Sequence, residues 1–239
     1  FNAFDEQLID ELSAACRALD ADRSVRVVVL AGRGRHFSAG ADLNWMRRAA
    51  GFSEAENLAD ARRFADMLRA LAGMGKPTIA RVQGAALGGG TGLTAACDMA
   101  IAADDAQFST SEVRFGIIPA VISPFVLRAV GPRHALRIFQ SAERIDAARA
   151  LAMGLVGEVV PAAGLDAAVA RLAEQLVSCA PDAQKAAKDL IAAVDGRPID
   201  DAVSEETARR IARRRATAEA KDGIAAFLDK QIININERV

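Results

Sequence analysis

The stretch that decides the fold is "ALGGGTGLTAACD", residues 86–98. Three consecutive glycines stand between a strand-like apolar run and a helix-like one. Glycine weakens regular structure, so such a run marks a tight turn or a close approach of backbone to something else. Upstream, "KPTIARVQGAA" (76–86) reads as a strand with Pro77 at its mouth; downstream, "LTAACD" reads as helix and "MAIAAD" (99–104) as an apolar strand.

Working outward, "DEQLIDELSAACRAL" (5–19) spaces Leu8, Ile9, Leu12, Cys16 and Leu19 as one face of a helix. "RVVVLAG" (26–32) is a buried β-branched strand, and "FSEAENLADARRFADMLRALAGM" (52–74) a second amphipathic helix. Strands alternating with helices predict an α/β domain. After residue 121 the pattern turns helical, broken by Gly131-Pro132 and Gly154, with one more strand in "LVGEVVP" (155–161). Helices follow near 164–180, 181–196 and 200–221, then a last piece, "GIAAFLD". The expected division is a core over 1–160 and a helical region over 161–239. "ARRIARRRA" (208–216) is a basic cluster, read as a solvated or subunit-facing helix side or as a site for an anionic ligand.

Composition narrows the function. A net charge of −1 gives no bulk attraction to nucleic acid or anionic membrane. No apolar run approaches the roughly 20 residues that span a bilayer, and "FNAFDEQLIDEL" does not read as a secretory leader. Cys16, Cys97 and Cys179 lack metal-type spacing; an odd count without a leader predicts reduced thiols and a cytoplasmic protein. With two histidines, His36 and His134, neither a His-rich metal site nor a Ser-His-Asp triad is well supplied.

Two glycine-containing turns follow strands: "HFSAGADL" (36–43) and "GAALGGGTGL" (84–93). Each can open a helix, where backbone N–H groups have no intrahelical partner. Two such turns side by side would aim donors at one oxygen, as an oxyanion hole does when a carbonyl compound becomes enolate-like. A purely structural role, packing helices on strands, also accounts for either turn alone. A phosphate loop is excluded, because "GGGTGL" lacks a following Lys-Ser/Thr and does not meet Gly-x-Gly-x-x-Gly.

Taken together, "FSAGADL", "ALGGGTGLTAACDMAIAADDAQFSTSEVRFGIIP" and "AERIDAARALAMGLVGEVVP" resemble the enoyl-CoA hydratase/isomerase family, the crotonase superfamily, over nearly the whole chain. The resemblance implies a spiral of ββα repeats followed by a helical trimerisation region, assembled as homotrimers or paired trimers. It implies acyl-CoA thioester substrates and no separate cofactor or metal, with the thioester oxygen between the N–H groups of Ala41 and Gly89. Ala39, Asp42, Leu43 and Gly88 would line the coenzyme A loop; Arg33 and Arg35 would either meet its phosphates or be plain loop arginines. Family hydratases commonly use two glutamates. Here Gly92 stands at the first position and Glu112 at the second, so the count of carboxylates favours isomerisation.

The segment "SEVRFGIIPAVISPFV" resembles the branch containing methylglutaconyl-CoA and carboxygeranoyl-CoA hydratases, which act on substrates bearing an extra carboxylate. Arg114 would pair with that carboxylate or be a turn arginine, and Thr110 and Ser111 could hold a water. Asp98, Asp104 and Asp105 read as structural, Cys97 as a small buried hydrophobe, and His36 as an anchor of its loop. "QIININERV" departs from the family's usual ending. Hydration of an α,β-enoyl-CoA is the first reading, a Δ3,Δ2 double-bond shift the second, and a non-catalytic acyl-CoA-binding protein the third.

Overall fold

A computed structural model describes residues 1–236, with side chains described through residue 229, so the side chains of "QIININERV" lie outside the described residues. The apolar spacing noted above forms α1 (Glu6–Ala21), whose first turn is capped by the Asp5 carboxylate accepting from the Leu8 N–H. Then come β1 (Val28–Ala31), α2 (Leu43–Ala49) and α3 (Glu54–Ala72). A capping box of Ser53 and Glu56 starts α3. β2 (Thr78–Val82), β3 (Ala85–Leu87), α4 (Gly89–Ala96), β4 (Met99–Ala103) and β5 (Gln107–Ser109) follow. A 3-10 turn over Glu112–Phe115 leads to α5 (Ser123–Ser141), β6 (Ile145–Asp146), α6 (Ala147–Ala152), β7 (Glu158–Val160) and α7 (Leu165–Val177).

Strands β1, β2, β4 and β7 form one parallel sheet in the order β1-β2-β4-β7, with Val28 opposite Thr78 and Ile79 opposite Met99. Strands β3, β5 and β6 form a second sheet, parallel between β3 and β5. Each pass of the chain leaves a strand of the first sheet, turns a corner, adds to the second and then enters a helix. Thus β2 passes to β3 and α4, β4 to β5 and α5, and β1 to a single bridge, Ser38 with Ala86, before α2. This is the expected ββα spiral. Its core runs from Phe4 and Ile9 through Met67, Leu68 and Val82 to Phe108 and Val126, each at most 1% exposed.

The sequence run 76–86 is two strands rather than one, because the chain turns at Gln83-Gly84. Gly84 has φ +56°, a conformation that L side chains rarely adopt, and a Cβ there would come within 2.3 Å of the Arg35 carbonyl oxygen. α4 begins at Gly89, four residues earlier than "LTAACD" suggests. α2, the 3-10 turn, β5 and β6 escape the sequence reading because pieces of two to seven residues carry too little period. α5 is kinked at Gly131 (φ 72°, ψ 166°), matching the expected break at Gly131-Pro132.

Residues 1–176 form one compact unit and 177–239 another. α7 follows the expected division near 160, yet its Leu165, Ala168 and Val169 pack on Ile79, Ile101 and Ala103 and so belong to the first unit. The second unit contains α8 (Pro181–Val194), α9 (Asp201–Arg215) and α10 (Ala218–Asn236). The helix expected over 200–221 is broken after α9, where the Thr217 hydroxyl accepts from the Ala220 N–H at the start of α10. Within the basic cluster, Arg209 and Arg210 pair with Glu205 and Glu206 one turn earlier, and Arg214 pairs with Glu219. Three of the cluster's five arginines are thus paired with glutamates of the same helical unit.

The corner glycine gives a direct test. Gly84→Ala is expected to cost roughly 1–3 kcal/mol, read as a lower urea midpoint at unchanged slope.

Candidate active site

The two glycine turns lie side by side. Ser38 bridges Ala86 in parallel, with the Ser38 N–H donating to Ala85 O (3.0 Å) and the Leu87 N–H to Ser38 O (2.9 Å). Counting three residues along each segment from that bridge reaches Ala41 on one and Gly89 on the other. On its far side the 38–42 segment is held by the N-terminal residues: Phe4 N–H donates to Gly40 O and Asp42 N–H to Phe4 O, both at 2.8 Å. These bonds use the groups flanking Ala41. Among the described residues, neither the Ala41 nor the Gly89 N–H meets an acceptor.

The three glycines have separate reasons to be glycine. Gly88 precedes α4 with φ +50° and ψ −114°, and its N–H donates to Ser109 O at 2.8 Å. A Cβ on Gly89 would come within 2.7 Å of the Phe4 ring and 2.9 Å of the Phe64 ring, which pack on each other at 5.1 Å. One on Gly90 would meet Ser38 at 3.0 Å. With these contacts behind it, the first turn of α4 offers unpaired N–H groups at the positive end of the helix dipole.

Glu112 opens the 3-10 turn after β5, and its Oε1 is the nearest atom to the open side of Gly88, 3.4 Å from where a Cβ would stand. Its Oε2 is buried without a hydrogen-bond partner. Burial pushes the carboxyl pKa above the ordinary value, opposed by a hydrogen bond from the residue's own backbone. A half-buried acid with an unsatisfied oxygen, facing the glycine turn at Gly88, is a candidate group for proton transfer.

The segment carrying Glu112 is fixed to the end of α5. Thr110 Oγ1 donates to Ile138 O (3.0 Å), Ser109 Oγ reaches Ala142 O (3.4 Å), and Arg114 Nη2 donates to Ala142 O (2.9 Å). Arg114 is thus a backbone strut capping the end of a helix. The Thr110 hydroxyl is likewise committed and buried, and Ser111 caps the 3-10 turn without a side-chain bond.

Along the other turn, Ala41 and Leu43 are exposed, while the Asp42 carboxylate accepts from the Asn44 and Trp45 N–H groups and caps α2. Ala39 donates its N–H to Phe1 O. Arg33 and Arg35 have exposed side chains. His36 anchors the loop, its Nδ1 accepting from the Ala85 N–H at 3.0 Å, and His134 is exposed on α5. Asp98 accepts from the Thr78 N–H and hydroxyl, Asp104 from Ala162 N–H and Asp105 from Gly84 N–H. Cys97 is buried at the end of α4. The sequence reading missed Asn2, whose Nδ2 donates to the Arg33, His36 and Phe37 carbonyls. Its only local signal is tolerance of a positive φ, here 52°. Among the described residues there is no His/Cys/Asp/Glu cluster suited to a metal and no helix long and apolar enough to cross a membrane.

The family model for enoyl-CoA hydratase/isomerase matches residues 1–238. A solved structure from Legionella pneumophila, described as an enoyl CoA hydratase/isomerase (crotonase), is 46% identical with TM-score 0.91, covering 95% of this chain and 88% of that one. Crotonyl-CoA hydratase of Syntrophomonas wolfei is 35% identical, with 98% of this chain and 89% of the relative covered. The 2,3-dehydroadipyl-CoA hydratase of Escherichia coli is 34% identical, with 96% and 87% covered. With the ββα spiral and the paired glycine turns, these likenesses lead to one conclusion: the chain has the crotonase fold and is an enzyme of the enoyl-CoA hydratase/isomerase family.

Proposed function

We propose that this protein adds water across the double bond of an α,β-enoyl-CoA, through an enolate whose oxygen accepts hydrogen bonds from the Ala41 and Gly89 N–H groups. The carrying observation is Glu112, whose Oε1 faces Gly88, one residue from an unpaired N–H, and whose Oε2 is buried without a partner. Polarisation of the thioester by the two donors makes the β-carbon electrophilic, and Glu112 takes the proton of the water that attacks it. A main-chain donor of this kind supplies about 3–4 kcal/mol of transition-state stabilisation. The loop around Ala39, Asp42, Leu43 and Gly88 would receive the coenzyme A through its backbone, and no further cofactor enters.

The acyl part is a finer proposal. "PAVISPFV" supports a branched or carboxylated enoyl chain such as methylglutaconyl-CoA, and one relative is named for a dicarboxylic enoyl-CoA. The bond from Arg114 to Ala142 O favours a positioning role for that side chain over direct capture of the distal carboxylate. A single carboxylate near the turn also suits a Δ3,Δ2 double-bond shift, the second reading. Assembly as a trimer or paired trimers belongs to this proposal and is measured by light scattering.

Incubation with crotonyl-CoA, 3-methylglutaconyl-CoA and a 3-enoyl-CoA separates the readings. Hydration removes the conjugated thioester ultraviolet band, whereas growth of that band from the 3-enoyl compound means isomerisation. Glu112→Gln is expected to lose at least about 100-fold in kcat; an unchanged rate removes Glu112 from the chemistry. Arg114→Ala should lower kcat on carboxylated and plain enoyl-CoA alike, while a KM rise confined to carboxylated substrates would make Arg114 a substrate ligand.

Glu112 also makes a stability prediction. Its folded pKa lies above the unfolded one, so its contribution is fully present below the unfolded pKa and is lost as pH rises through the folded pKa. Glu112→Gln should therefore melt higher than the parent at pH 7.5, by about 2–4 °C per kcal/mol relieved. The gap should close near pH 4, where both side chains are neutral. In the parent, activity should fall on the acid side at a pH above the ordinary glutamate pKa of about 4.3.

A further inference from the structure

α2 follows directly on the turn that carries Ala41, and Trp45 is its one buried residue. This tryptophan, the only one in the chain, links that turn to α3 by two hydrogen bonds. Its main-chain N–H donates to the carboxylate of Asp42, the residue after Ala41, at 3.1 Å. Its indole Nε1–H donates to Asp60 Oδ1 on α3 at 3.3 Å. Asp60 is half-buried, and burial pushes its carboxyl pKa above the ordinary value. The indole bond opposes that rise, as do Arg63 of α3 and Arg48 of α2, while Glu6 of α1 adds to it. Among the described residues, the other side-chain bond leaving α2 is the Arg48–Glu6 ion pair, 2.6 Å long and partly exposed. Such pairs are weak tethers. One turn along α3 from Asp60 stands Phe64, whose ring lies behind Gly89. Residues four apart share a helix face. One face of α3 therefore reaches both glycine turns, Gly89 directly and the Ala41 turn through Trp45.

We infer that Asp60 is a positioning residue: through the Trp45 indole it holds α2, and with it the Ala41 N–H, at a fixed spacing from Gly89. The inference rests on the reading above, in which both N–H groups bind the thioester oxygen. α2 has seven residues, too few to keep its place by helix propensity alone. On one side Asp42 is fixed by the Phe4 carbonyl, which accepts its N–H. The indole bond supplies the second support, on an element that also backs Gly89. A misplacement of about 1 Å can cost on the order of 100-fold in rate, so a support this far from the chemistry matters. The role needs an acceptor oxygen at residue 60 and no proton transfer.

A melting-temperature cycle tests the link without substrate. Asp60→Ala should lower the melting temperature of the parent. In the Trp45→Phe background, which lacks the indole donor, the same change should leave it unchanged or raise it. Equal losses in both backgrounds overturn the inference. The positioning role is read well below each melting temperature. Asp60→Ala and Trp45→Phe should each lower kcat by about 10- to 100-fold, with kcat/KM falling equally. Both should also weaken the near-ultraviolet enolate band of bound acetoacetyl-CoA, a β-keto thioester whose enolate oxygen the two donors would hold. Asp60→Asn, whose amide oxygen accepts the same bond, should restore the rate and the band. An unchanged kcat in Asp60→Ala overturns the inference, as does a loss that Asp60→Asn does not restore. Should Asp60→Ala fail to fold, an unchanged kcat in Trp45→Phe decides against it equally. If the parent hydrates no enoyl-CoA, the hydratase reading falls alone, and the enolate band still decides the role of Asp60. A parent that shows no such band overturns both.

Discussion

Successive corners of the chain are joined by main-chain hydrogen bonds, and the site depends on that stack. Phe37 N–H donates to Gln83 O, Leu87 N–H to Ser38 O, Gln107 N–H to Gly84 O, and Gly88 N–H to Ser109 O, at 2.8–2.9 Å. These bonds fix the turn 38–42, the glycine run and the Glu112 segment in one register. Backbone donors can then serve as the binding groups, which needs no side-chain ordering at the moment of reaction. Among the described residues, the Ala41 and Gly89 N–H groups are left by this stack without an acceptor.

That arrangement is stable only because each turn is backed from outside. Phe4 and Phe64 fill the space behind Gly89, and residues 1–4 form a short ladder on the 38–42 turn. Asn2 satisfies three carbonyls of the arginine-containing loop, and Asp42 ends the turn by starting α2. Such supports restrict the donors to one geometry, and effective catalysis depends on geometry held in advance.

Glu112 is the expensive part of the design. Its oxygen is removed from water without a compensating partner, which disfavours the charged form. The cost is sustained by neighbours rather than relieved at the carboxylate: Thr110 and Arg114 tie the flanking backbone to Ile138 O and Ala142 O. A carboxylate that is easier to protonate is a better proton carrier near neutral pH. In the proposed role, function and stability therefore pull in opposite directions at this residue.

By itself the sequence determined the α/β order, the long amphipathic helices, the glycine turn and the family motifs that single out Ala41, Gly89 and Glu112. Those features are written in local period, turn chemistry and short spacing. Tertiary structure decided which neighbour excludes a side chain at each glycine, where the 76–86 run breaks, and that Arg114 turns to Ala142 O. It also decided that Ile122, thirty residues away, takes the place beside Gly92. Contacts between residues so far apart in the chain follow from how whole helices and corners pack, and no local pattern records them.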